Sequence, residues 1–236
     1  MGTFKTKGII ISENNSGDFD KMVTMLTPNG KMSVSAKGAR RPKSQLMAGT
    51  QFLCFGDYMM FKGSNVYTLN SCEPIEIFYN VRIDFDKLTY AAHITKIITD
   101  VTYENQNTYK ILQLYLNTLY IISESDMNLD FIVSVFKIRL MCLLGFTPRV
   151  DKCCNCESEE LSYFSFKDSG FKCVNCAKQD TGAVQISPGT RDAIRYIVKA
   201  PAKKIFSFKI SEENMKELEL VSKIYTNDKL EKEYKI

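Results

Sequence analysis

The sequence predicts an α+β fold in two parts: a small β-barrel over residues 1–80, then a helical domain over 81–236 with a four-cysteine insertion at about 150–180. Three observations predict it. Up to Asn80, short β-rich runs alternate with turn residues. Beyond Arg82, apolar residues recur every three or four positions. Two C-x-x-C pairs, Cys153/Cys156 and Cys173/Cys176, interrupt that helical pattern with sixteen residues between them.

The barrel rests on five runs, 4–12, 19–27, 31–36, 52–62 and 66–78. Lys31-Met32-Ser33-Val34-Ser35-Ala36 alternates polar and apolar, as a half-buried strand must. Pro28-Asn29-Gly30 and Gly63-Ser64-Asn65 are tight-turn sequences between such runs. Five strands in so short a stretch fit an OB-fold, whose face and loops bind single-stranded nucleic acid or oligosaccharide. An SH3-like barrel fits the strand count nearly as well.

Each helix has its own signal. Asp84 is placed to cap a helix whose apolar positions are Phe85, Leu88, Ala91, Ala92, Thr95 and Ile98. In 108–122, Ile111, Leu112, Tyr115, Leu119 and Ile122 share a face. The stretch 129–144 is apolar nearly all round and predicts a buried helix, stopped by Gly145 and Pro148. Ser187-Pro188 supplies a cap and a first-turn proline for a helix to about residue 199. A last helix follows Ser211, where Glu212 and Glu213 suit the positive end of the helix dipole.

Two knuckles at this spacing present four thiolates to one ion, with no coordination position left for water or substrate. The site predicted is one structural Zn²⁺ held by Cys153, Cys156, Cys173 and Cys176. A disulfide framework belongs to secreted chains, and the N-terminus carries no signal-peptide pattern, so a cytoplasmic setting is expected. Cys154 is the rival of Cys153 and is expected to be a free thiol; Cys54, Cys72 and Cys142 lie in apolar runs and are expected in cores. The most apolar stretch is too short for a bilayer and carries Lys137 and Arg139, so no membrane role is expected.

Net charge is only +4, but the charge is unevenly placed. Residues 21–56 hold six cations, Lys21, Lys31, Lys37, Arg40, Arg41 and Lys43, and no Asp or Glu. Four of them, Lys37, Arg40, Arg41 and Lys43, crowd a Gly- and Pro-containing loop that can neutralise phosphates, although such runs are often merely solvated. Phe52, Phe55, Tyr58, Phe61 and Tyr67 follow that loop and offer stacking platforms or, more commonly, barrel core. Catalytic machinery is absent from the pattern. His93 is the only histidine, and there is no phosphate-loop motif, so neither an enzyme nor a small-molecule substrate is expected.

Four ordered landmarks carry a family resemblance: Thr6-Lys7-Gly8-Ile9-Ile10, Ala36-Lys37-Gly38-Ala39-Arg40-Arg41-Pro42-Lys43-Ser44, Leu143-Leu144-Gly145-Phe146-Thr147-Pro148 and Ser187-Pro188-Gly189-Thr190. Together with the four cysteines they resemble the bacterial RecO family of DNA repair proteins. The resemblance implies an N-terminal OB-fold, a helical C-terminal domain and an inserted zinc site. It also implies a non-enzymatic role in recombinational repair: binding single- and double-stranded DNA, annealing complementary strands, and working with RecR to load RecA onto DNA covered by single-stranded DNA-binding protein. Carried onto this chain, Lys37, Arg40, Arg41 and Lys43 become the phosphate contacts. Two other readings fit the same residues: a zinc-bearing RNA-binding or ribosome-associated module, and a protein adaptor with a solvated loop.

Overall fold

Strand β1, Thr3–Ser16, is long enough to pair with two neighbours, and this closes the barrel. Its first half runs antiparallel to β4, Phe55–Lys62, from Thr3 opposite Phe61 to Ile9 opposite Phe55. Its second half runs antiparallel to β2, Asp20–Thr27, with a bulge between Ile10 and Ser12 where the strand passes from one partner to the other. Strand β3, Gly30–Ala36, follows β2 through a tight turn; β5, Tyr67–Glu76, pairs with β4 and meets β3 in parallel at Val34 and Ser35. The order β1-β2-β3-β5-β4 around a closed barrel is the OB-fold arrangement. This computed structural model describes residues 2–63 and 66–235, so Ser64 and Asn65 of the predicted Gly63-Ser64-Asn65 turn lie outside the described residues.

Alternation along the strands fills the barrel. Ile10, Val23, Met25, Val34, Ala36, Tyr58, Met60 and Leu69 form one apolar cluster, joined by Ala39 and Cys54 from the β3–β4 connection. The phenol of Tyr58 is buried yet satisfied, donating toward the carbonyls of Gly49 at 2.8 Å and Cys54 at 3.0 Å.

Helix α1, Tyr79–Ile83, leads into α2, Phe85–Val101, whose cap Asp84 accepts from the Lys87 N–H at 3.0 Å. Helix α3, Tyr109–Glu124, buries Ile111, Leu112, Tyr115, Leu119 and Ile122 as their spacing predicts. The apolar face of α2 differs from expectation. Ala91, Thr95 and Ile98 are buried as expected, but Phe85 is 82% exposed and Ala92 is exposed, while Ile94 and Ile97 are fully buried, so the packed stripe is only partly the one expected. The chain divides into two compact units, one ending at Ser123 and one beginning at Glu124. The first takes in α1, α2 and all but the last residue of α3 as well as the barrel.

In the second unit, α4, Leu129–Leu143, is buried from Phe131 through Ile138, as an all-round apolar helix should be. Gly145 ends it at φ 95°, with its own N–H reaching Cys142 and that of Phe146 reaching Met141; this double closure requires a left-handed residue. The cysteine segment holds a small sheet of β6, Tyr163–Ser165, β7, Gly170–Lys172, and β8, Val184–Gln185, in the order β7-β6-β8, with a one-turn helix α5, Val174–Ala177. Helix α6, Pro188–Lys199, starts at Ser187, whose hydroxyl accepts from the Thr190 N–H; α7, Glu212–Leu230, starts at Ser211 and packs on α4 and α6. Among the described residues, no helix is long and apolar enough to cross a membrane.

Candidate nucleic-acid interface and metal centre

The β3–β4 connection carries the predicted cations, and buried residues anchor it at both ends. Ala39 lies between Lys37 and Arg40 and is fully buried in the barrel. At the far end, Leu53 donates to the Ile10 carbonyl and Ile10 to the Cys54 carbonyl, both at 2.9 Å. Lys37, just before the first anchor, and Arg40, Arg41 and Lys43, just after it, are all exposed. The near half is tied to the β1–β2 turn. Gly38 donates to the Asp20 carboxylate at 2.7 Å, Arg40 N–H to the Phe19 carbonyl at 2.8 Å, and the Arg41 guanidinium lies over the Phe19 ring. The structure thus brings all four cations onto one held loop beside a turn.

The aromatic residues expected beside them are dispersed. Strand β4 begins at Phe55, so Phe52 belongs to the loop, where Leu53 takes φ 63° and breaks the strand pattern. Tyr58 is in the core, Tyr67 packs edge-on against Phe4 at 5.4 Å, and Phe61 is 43% exposed. His93 is buried in α2. Of the three cysteines expected in cores, Cys54 is fully buried; Cys72, within β5, and Cys142, next to the last residue of α4, are only half-buried.

The four other predicted cysteines converge. Sulfurs of Cys153, Cys156, Cys173 and Cys176 lie within 4.8 Å of one another, and Cys156 and Cys173 are 3.6 Å apart. A tetrahedral ion with metal–sulfur bonds of about 2.3 Å requires sulfur separations of about 3.8 Å, so the spacing fits. The first knuckle turns at Glu157, in the left-handed region at φ 63°, and Cys153 N–H donates to the Ser158 carbonyl at 2.8 Å. The second follows β7 directly, and Cys173 N–H points to the Cys153 sulfur at 3.5 Å. Cys154 stands apart, its thiol directed to the Asp168 carbonyl at 3.7 Å.

Protonation fits a cation. Burial pushes the Cys153 thiol up, but N–H donors of Asn155, Cys173 and Cys156 outweigh it and bring it down to about 6. Hydrogen bonds with Cys156 and Cys173 push Cys176 up to about 12. Four adjacent sulfurs cannot all ionise on their own, and a bound divalent ion removes that conflict. The donor set is four soft sulfurs with no oxygen or nitrogen, so the cluster can hold a thiophilic metal ion.

Packing around this cluster is dense. Lys172 is buried and pairs with Asp168 and with Asp180 at 2.8 Å, and Ser165 donates to Asp180 at 2.5 Å. Phe164 meets Phe166, Phe171 and Tyr225 with ring centroids 5.3 to 6.0 Å apart, which seats the small sheet on α7. No spacing rule in the sequence announces this sheet, because strands of two and three residues are too short to show a period.

Family comparison decides the placement. Residues 1–78 match the model for the recombination protein O N-terminal domain, and residues 82–235 match that for its C-terminal domain. The chain belongs to the RecO family of DNA repair proteins. A RecO from Acetivibrio thermocellus is 47% identical over 237 residues, covering 99% of this chain and 94% of that protein. A RecO from Alkaliphilus metalliredigens is 33% identical, covering 88% of this chain and 85% of its own length. RecO of Bacillus subtilis is 29% identical over 94% of this chain and 87% of that protein.

Proposed function

We propose that this RecO-family chain is a non-enzymatic, cytoplasmic DNA-binding protein that holds single- and double-stranded DNA through Lys37, Arg40, Arg41 and Lys43 and anneals complementary strands. It would act with RecR to load RecA onto DNA covered by single-stranded DNA-binding protein. One observation carries the proposal: four exposed cations sit on a loop whose backbone is already fixed, within a stretch, 21–56, that contains no acid. A fixed loop loses little conformational freedom when it meets phosphates. Cations that neutralise phosphates on two strands also lower the repulsion opposing their pairing, and release of condensed counterions supplies much of the affinity.

The metal we assign is one Zn²⁺ on Cys153, Cys156, Cys173 and Cys176. When bound it supplies a closed, redox-inert tetrathiolate link rather than an open catalytic position. The residues would do the rest: the knuckle N–H donors hold the sulfurs as thiolates, and the Lys172–Asp180 pair holds β7 beside them.

The test is a salt titration of single-strand binding with Lys37, Arg40, Arg41 and Lys43 changed together to Ala. Each lost phosphate contact on single strands reduces the log–log salt slope by about 0.7. The expected variant binds more weakly with a shallower slope; an unchanged slope and affinity remove the loop from the interface. Metal analysis should return one zinc per chain.

A further inference from the structure

At the end of β3 away from the basic loop, the β2–β3 turn is stitched to the α2–α3 connection. Thr108 N–H donates to the Pro28 carbonyl at 3.0 Å, Gly30 N–H to the Thr108 hydroxyl at 2.9 Å, and that hydroxyl to the Thr27 carbonyl at 2.5 Å. Lys31 N–H reaches the Tyr103 carbonyl at 3.0 Å, and Gly30 bridges to Glu104. Two loops that would otherwise wave in solvent are therefore one platform. Two concavities open on it, of 230 Å³ and 490 Å³, and they share Asn29 and Asn105. Phe4 and Tyr67, packed edge-on against each other, are among the residues lining the smaller; Tyr109, 53% exposed, lines the larger.

We infer that this platform binds an unstacked nucleobase of the strand whose phosphates the basic loop holds. The lining chemistry selects the ligand. Asparagine amides each carry a donor and an acceptor, the combination that pairs with base edges, and adjacent aromatic rings offer stacking surfaces. Phosphate is disfavoured. The two cations present are engaged, Lys31 Nζ donating to the Thr99 carbonyl at 2.8 Å and Lys5 lying 3.8 Å from Asp57, while Glu104 adds a carboxylate. A neutral base with polar edges fits where an anion does not.

The outer row of β3 links the two regions. Lys31, Ser33, Ser35 and Lys37 alternate with buried Val34 and Ala36, so they line the solvent side between platform and loop. Six steps of about 3.3 Å from Lys31 to Lys37 place the two regions about 20 Å apart, a span that a short oligonucleotide covers. The inference rests on the nucleic-acid reading above but assigns a separate role: the loop sets affinity and salt dependence, and the platform distinguishes a strand with bases from a bare backbone.

The experiment compares a twelve-nucleotide single strand with an abasic strand of equal charge, using the wild-type chain, the four-alanine loop variant, and a platform variant carrying Asn29→Ala, Asn105→Gly and Tyr109→Ala. Glycine is chosen at Asn105 because its φ is 58°. The wild type should favour the strand with bases by about tenfold, the scale of one lost stacking contact. The platform variant should bring that ratio to about one at an unchanged salt slope; the loop variant should lower the slope and keep the ratio. A platform variant that keeps the wild-type ratio overturns the inference. Photocrosslinking of the wild type with an iodouracil-substituted strand supplies a readout free of folding defects: crosslinks at Phe4, Tyr67 or Tyr109 support the site, and crosslinks only elsewhere, such as Phe61, reject it. An unchanged slope in the loop variant alone counts against the loop, whereas failure of the wild type to bind either strand overturns both readings.

Discussion

The guanidinium carbon of Arg41 lies 5.6 Å from the centroid of the Phe19 ring, and the Phe19 carbonyl accepts from Arg40 N–H at 2.8 Å. A single residue of the β1–β2 turn thus holds two neighbouring arginines of another loop, one through its ring and one through its backbone. The ring contact orients Arg41 without consuming its charge.

Phe19→Ala removes the ring and leaves the backbone contact. Cation–π attraction at an exposed site contributes about 0.5–1 kcal/mol. Single-strand affinity should fall about two- to fivefold, with the salt slope unchanged because no cation is lost. Fluorescence anisotropy across a salt series checks both quantities, and a changed slope would show that Phe19 does more than orient Arg41.

Metal removal should act locally. Treatment with a strong chelator, or Cys173→Ser, should abolish hydrogen-exchange protection across the cysteine segment, residues 150–177, while barrel strands β1 to β5 keep theirs. Structural zinc contributes folding free energy outright, so a chain stripped of metal that retains full protection in this segment rejects the structural role.

Lys137 is 5% exposed on α4, where Asp130, Ser134, Glu219, Lys223 and Tyr234 share a 170 Å³ cavity with it. Burial, followed by the nearby Lys223 charge, holds its ammonium down at about 8. The unfolded chain therefore binds more protons than the folded one between about pH 8 and the unperturbed lysine value of about 10.4, and stability rises with pH across that window. Urea unfolding should show the wild type gaining roughly 2 kcal/mol from pH 7.5 to 9.5 relative to Lys137→Met. Equal pH dependence in the two proteins would falsify the assignment.

Gly30 sits at φ 108°, and a Cβ there would lie 2.4 Å from the Tyr103 carbonyl oxygen. Gly30→Ala combines an unfavourable backbone region with a backbone clash, so it should destabilise the chain by about 2 kcal/mol or more. A shift of the urea midpoint at constant m-value measures it. Gly17→Ala, also at positive φ but with open space around it, should cost less.

Where local chemistry decides the backbone, sequence and structure agree. Asp84 and Ser187 cap the helices they precede, Gly145 ends α4, and the strict alternation of 31–36 forms β3. The cysteine spacing likewise anticipated the convergence of four sulfurs. Differences arise where a distant partner decides. Strand β1 runs past Ser12 to Ser16 because Asn14 and Asn15 pair with Met22 and Lys21, although neither favours strands. Phe52 falls outside β4 because its N–H donates to Glu13 of β1. The basic loop was legible as charge, but its anchoring was not, since Phe19 and Asp20 lie far back along the chain and no local period links them to Arg41 and Gly38.

The double pairing of β1 also sets an order of events during synthesis. Strand β1 emerges before its partners and can form a hairpin with β2 early, yet its N-terminal half must wait for β4, and the ring closes only once β5 has emerged through Glu76 to join β3 and β4. Until then the apolar face of that N-terminal half stays open to solvent or to a chaperone. A nascent chain stalled before β5 should remain protease-sensitive at β1, so barrel closure marks when this half of the protein becomes safe from degradation.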